Sequence, residues 1–118
     1  MRMKAVHVIC RFEEDTKRPK GIFKIEGKDQ YISEAWDFSN EDAESLIGGT
    51  IFFHTAKSEK SFFGGTVSAF EELYRDDLVR KERIRFTLTS TLESKNQPWC
   101  GMDHSMAWTS GIINIEDN

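Results

Sequence analysis

Residues 48–67 read GGTIFFHTAKSEKSFFGGTV and constrain the fold most, because two apolar arms flank a polar tip. The tip is residues 57–60, with Phe52 and Phe53 before it and Phe62 and Phe63 after it. This pattern predicts an antiparallel hairpin with strands at 50–54 and 62–70. The glycines at 64 and 65, inside the second arm, predict a bulge or the close approach of another backbone.

The length and composition predict one domain over residues 1–118 that folds alone. The chain is 38% hydrophobic and 31% charged, and its nine Phe and three Trp are too many for a disordered segment. No stretch approaches the roughly 18 apolar residues of a membrane span, and the N-terminal residues MRMKAVHVICRF do not resemble a cleavable leader. We therefore expect no membrane contact and a cytoplasmic location.

Further strands are predicted where apolar and polar residues alternate, at 5–12, 21–26, 83–91 and 107–115. Residues 40–47 predict a short helix, since Ser39 and Asp42 have near capping-box spacing and Gly48 can end it. Its apolar face is Ala43, Leu46 and Ile47, which suits a lid over a barrel opening. Residues 71–82 predict a weak helical turn or a long loop. The fold class is α+β, a small mixed β-barrel of five or six strands with one or two short helices.

The net charge of -4 is unevenly distributed, because residues 1–28 sum to +4 and residues 29–118 to -8. An acidic chain argues against sequence-blind binding of nucleic acid through a broad basic face. Two local basic patches are candidates: Lys17, Arg18, Lys20, Lys24 and Lys28, and Arg75, Arg80, Lys81, Arg83 and Arg85. Ordinary solvated surface is the alternative for both.

The reactive residue types in the sequence do not indicate a reaction. Cys10 and Cys100 predict free thiols, and without paired C-x-x-C spacing they predict no zinc site. Cys100, Asp103 and His104 match no signature of a nucleophile or a metal site, and no glycine run has phosphate-loop spacing. His7 is interpreted as structural. We predict a non-enzymatic protein without metal or cofactor.

The order Trp36, short helix, Gly-Gly, IFFH, polar tip and FFGGTV resembles the PUA-like superfamily, especially its EVE and ASCH branches. The resemblance covers about residues 30–70 and extends to the rest only in strand order. It implies a pseudo-barrel with a cleft beside the hairpin and helix, used by relatives to bind RNA or a modified base flipped from DNA. Position by position, it implies Trp36 as a wall of the cleft, Phe53 and His54 at the end of the first arm, and Phe63 with Gly64 on the opposing arm.

Aromatic side chains can stack on bases for ~1–3 kcal/mol each, so Trp residues outside regular elements are further candidates. Trp36 and Trp99 have such contexts, whereas Trp108 and Phe38 are explained by core packing. We predict a recognition module that holds a nucleotide or modified base. Its ligand-binding residues are Trp36, Phe53, His54, Phe63, Gly64 and Trp99.

Two other functions are compatible with the sequence. One is a protein-binding or inhibitory domain whose acidic surface meets a basic partner. The other is a small hydrolase using His54 or His104, which requires a pocket where a histidine meets a carboxylate. The sequence leaves the ligand and the oligomeric state open.

Overall fold

The computed structural model describes residues 2–25, 27–78, 81–99 and 109–116, which form one mixed sheet with a short helix. In chain order the elements are β1 (Arg2–Ile9), β2 (Ile22–Lys24), β3 (Gln30–Trp36), α1 (Asn40–Leu46), β4 (Thr50–His54), β5 (Phe63–Tyr74), β6 (Glu82–Ser90), a 3-10 turn (Leu92–Ser94) and β7 (Ile113–Glu116).

The predicted combination of a mixed sheet with a short helix is confirmed, but the sheet is open, so the predicted β-barrel is wrong. Its strand order is β2-β3-β6-β5-β4-β1-β7, and the two short strands at its ends do not pair with each other. Bulges in β3 and β5 nevertheless curl it. The ring centroids of Trp36 and Phe53 lie 6.5 Å apart although β6 and β5 separate their strands. The curled sheet therefore wraps around its own core without closing.

The predicted hairpin is confirmed as β4 and β5, with Phe53 opposite Phe63 and the amide of Phe62 donating to the carbonyl oxygen of Phe53 over 2.9 Å. The predicted close approach at the paired glycines is confirmed too. A methyl group on Gly64 or Gly65 would collide with the main chain of a neighbouring strand. The bulge of β5 lies further along, between Val67 and Ala69.

The core lies on the concave face of the sheet, where α1 packs against β1 and β5 and the alternating side chains of β6 complete the cluster. Its buried residues are Val6, Val8, Cys10, Ala43, Leu46, Ile51, Phe53, Val67, Ile84, Phe86 and Leu88. The helix begins as predicted, with the Ser39 hydroxyl accepting from the Asp42 amide at 3.1 Å. It ends one residue early, because Ile47 is extended and half exposed.

Two predictions of secondary structure are wrong. β3 was not predicted as a strand, because its core-facing Ser33 breaks the apolar alternation. With β3, the described residues form seven strands, where five or six were predicted. Residues 71–74 continue β5, where a helical turn or a loop was predicted. In this region the β5–β6 ladder extends beyond the core. Charged residues such as Glu71 and Arg85 face each other there, so the sequence lacks the apolar alternation that predicts a strand.

The outer strands differ from prediction in their bounds. The first strand ends at Ile9, and Phe12 forms an isolated bridge with Pro19. The last strand begins at Ile113, while Thr109 bridges Val8. Residues 26, 107 and 108 of the predicted strands lie outside the described residues.

Two glycines with the same left-handed backbone provide a test of packing at the start of β2. Gly21 has φ +73° and Gly27 has φ +77°, but only at Gly21 would a Cβ collide with a carbonyl oxygen, that of Glu34. Gly27→Ala is expected to cost about 1 kcal/mol of unfolding free energy for the backbone alone. Gly21→Ala is expected to cost at least about 1 kcal/mol more, because β2 must shift away from β3. Urea denaturation of both variants measures the difference, and equal losses would contradict the close approach.

Candidate functional site

The predicted ligand residues do not form one cleft. Phe53 and His54 are successive residues of β4, so their side chains point to opposite faces of the sheet. Both are fully buried, and Gly64 is buried against Ser94. The three partly exposed members, Trp36, Phe63 and Trp99, lie in three different places.

The first of these places is a cleft that combines aromatic and basic side chains. We call it the aromatic-basic cleft, and it has a volume of about 550 Å³. It is lined by Phe12, Arg18, Pro19, Ile22, Lys24, Tyr31, Phe62 and Phe63. Only Phe63 among these was predicted to contact a ligand.

Two pairs of rings build the aromatic walls of this cleft. Phe12 and Phe62 have centroids 4.9 Å apart, and Tyr31 meets Phe63 edge to face at 4.8 Å. Phe53 supports both pairs from the core, stacking on Phe63 at 5.9 Å and lying 6.5 Å from Phe62. The predicted residue Phe53 thus positions the rings from behind.

The basic side chains come from a paired segment that we call the N-terminal ribbon, residues 11–13 against residues 18–20. The Glu13 amide donates to the carbonyl oxygen of Arg18 at 2.8 Å, and the Lys20 amide donates to that of Arg11 at 2.9 Å. Lys17 turns the ribbon with a φ of 61°. The ribbon places Arg18 in the lining of the aromatic-basic cleft, and β2 contributes Lys24.

Trp36 lies in a second cleft, the tryptophan cleft, on the other side of β2. Its volume is about 610 Å³, and its lining is Ile9, Cys10, Arg11, Lys20, Gly21, Phe23, Glu34, Trp36, Arg75 and Leu78. The indole Nε1 of Trp36 donates to the Ser33 hydroxyl at 2.8 Å, which fixes the ring. Burial raises the pKa of the Cys10 thiol to about 12, so it is not a nucleophile at neutral pH.

The third place is a histidine pair on the convex face of the sheet. His7 Nδ1 and His54 Nε2 are 2.7 Å apart, and His54 Nδ1 lies 2.8 Å from the carbonyl oxygen of Glu59. A carbonyl oxygen only accepts, so His54 donates through Nδ1 and accepts from His7 through Nε2. His7 also stacks on Phe52 at 4.5 Å, and the Trp99 ring lies 5.0 Å from that of His54.

Burial favours the neutral form of both histidines. It lowers the pKa of His7 to about 4, and charge on neighbouring His54 acts in the same direction. Burial also lowers the pKa of His54, against the opposing effect of its hydrogen bond to Glu59. Parallel pairing of β1 and β4 creates this contact, and no local pattern in the sequence reveals it.

The arrangement of these groups does not support the hydrolase alternative at His54, whose partners are His7 and a main-chain carbonyl. His104, Cys100 and Asp103 lie outside the described residues. Within the described ranges, no three His, Cys, Asp or Glu side chains are placed to share a metal ion. In the same ranges, no helix is long and apolar enough to cross a bilayer.

Comparisons with family models, curated proteins and solved structures found no match to this chain.

Proposed function

We propose that this protein is a recognition module that binds a nucleobase-bearing ligand in the aromatic-basic cleft. The observation that carries the proposal is the convergence of four aromatic rings and two basic side chains on one cleft. Aromatic rings can stack on any base, and basic groups complement a phosphate. A volume of about 550 Å³ is within the usual range for a small-molecule site.

The charges of the cleft favour an anionic ligand. Arg18 and Lys24 line it, and among the described residues that line it there is no carboxylate. Both cations of the cleft belong to residues 1–28, the part of the chain whose charges sum to +4. In the part of the chain that the structure describes, no histidine and no Ser or Cys side chain lines this cleft, which supports binding without chemistry.

The resemblance to the PUA-like superfamily supports the same class of ligand. It implies a cleft beside the hairpin, and Phe62 and Phe63 lie where β4 passes into β5. The proposed site differs from the one implied by the resemblance in its walls. Phe12 and Tyr31 replace Trp36 and His54 as the groups that contact the ligand.

Truncation of Phe12 tests this proposal, because its ring is 43% exposed and its loss spares the core. A nucleotide containing 2-aminopurine is expected to lose fluorescence on stacking, and its affinity for Phe12→Ala is expected to fall at least about tenfold. Tyr74→Ala is the control, since Tyr74 is a 64% exposed aromatic outside both clefts. No binding to the native chain at millimolar nucleotide, or equal affinity of both variants, would refute the proposal.

A further inference from the structure

We infer that the ligand is a single-stranded nucleic acid whose neighbouring nucleotides occupy both clefts, crossing the edge of the sheet over β2. This inference rests on the proposed function and extends it from one nucleotide to a chain. The two clefts lie on opposite faces of the same segment, residues 18–24.

The side chains of this segment are divided between the two clefts. Arg18 and Lys24 line the aromatic-basic cleft, whereas Lys20 and Phe23 line the tryptophan cleft. Within β2, Phe23 points to the side opposite to Ile22 and Lys24. Before β2, Arg18 lines one cleft and Lys20 the other, so one short segment supplies a cation to each cleft. Of the predicted first basic patch, Arg18 and Lys24 thus line one cleft and Lys20 the other, whereas Lys17 and Lys28 line neither.

The tryptophan cleft has the same combination of groups as the first. Phe23 is 54% exposed, and Trp36 presents a ring that its hydrogen bond to Ser33 holds in place. Among its described lining residues the cations are Arg11, Lys20 and Arg75, and the carboxylate is Glu34. Arg85 neutralises Glu34 at 2.8 Å, while Asp77 engages Arg75 at 2.7 Å. Lys20 and Phe23 are therefore the two residues of this cleft whose substitution best tests the binding of a second nucleotide.

The position of β2 lets a polymer pass from one cleft to the other. β2 is the edge strand of the sheet, and in the described part of the chain it forms a ladder only with β3. An acidic peptide could satisfy the cations, but its aliphatic carboxylate side chains would leave the aromatic rings of both clefts without stacking partners. Charge and aromatic surface together favour a nucleic acid strand over a peptide.

The experiment compares the affinities of uridine monophosphate and fluorescein-labelled uridine oligomers of two, four and eight nucleotides. We expect the tetramer to bind at least about tenfold more tightly than the mononucleotide, with little gain beyond it. In the double variant Lys20→Gln/Phe23→Ala, this dependence on length is expected to disappear. Tyr74→Ala is expected to retain it.

The outcomes separate the inference from the proposed function. If the mononucleotide binds and the oligomers bind no more tightly, the inference fails and the proposed function stands. If neither binds, both fail. A glutamate octapeptide that displaces the labelled tetramer as effectively as unlabelled tetramer would overturn the inference in favour of an acidic peptide.

Discussion

Replacement of Phe53 by alanine is expected to lower the free energy of unfolding by roughly 3–5 kcal/mol. The ring is fully buried and touches three other aromatic residues, Trp36, Phe62 and Phe63. Its removal leaves a cavity between the hairpin and β3, which the paired strands around it cannot fill by collapsing. The rings of both clefts also lose their support.

Phe23→Ala is the matched control, since it makes the same change at a half-exposed site on β2. Its expected cost is below about 1 kcal/mol. Urea denaturation followed by far-ultraviolet circular dichroism gives both values from the midpoint and slope of each transition. Similar losses in the two variants would show that Phe53 is not the centre of the core.

Acidification from pH 6.5 to pH 4 is expected to destabilise the protein by about 3 kcal/mol through His7 alone. Burial lowers the pKa of His7 to about 4 in the folded chain, whereas an unfolded histidine titrates near 6.5. Between pH 6.5 and pH 4 the unfolded chain binds more protons at His7 than the folded chain does. The contribution of neutral His7 to the free energy of unfolding is therefore fully present above pH 6.5 and is lost as the pH falls through the folded pKa. The lowered pKa of His54 acts in the same direction.

The variant His7→Gln isolates this effect from the titration of carboxylates. Its amide group can still donate to His54 Nε2, but it does not titrate. The free energy of unfolding, measured at intervals between pH 7 and pH 4, is expected to depend less steeply on pH in the variant. The same slope in both proteins would mean that the histidine pair takes up protons without unfolding.

The sequence predicted the elements whose signal is local. The hairpin followed from two phenylalanine-rich arms, and β6 followed from the alternation of Ile84, Phe86 and Leu88. The helix followed from its cap at Ser39. β3 was missed because its inward position at Ser33 is polar, and a buried serine gives no apolar periodicity.

The candidate site was predictable only in part, because the curvature of the sheet brings together aromatic residues that are distant in sequence. Phe63 was predicted from the hairpin, but Phe12 and Tyr31 reach it from segments that are distant in sequence. The pairing of Phe53 with His54 in one cleft failed for a local reason, since neighbours on a strand face opposite ways. That error was avoidable from the strand assignment alone.

The parallel ladder between β1 and β4 has a consequence for how the chain acquires its shape. Two parallel strands cannot be joined by a tight turn. Residues 10–49 therefore form a long crossover connection between β1 and β4. The other edge of β1 pairs with β7, residues 113–116, which lie more than 100 residues further along the chain. Because β1 makes no hairpin with a sequence neighbour, both of its ladders depend on contacts that are distant in sequence, and such pairing forms slowly during folding.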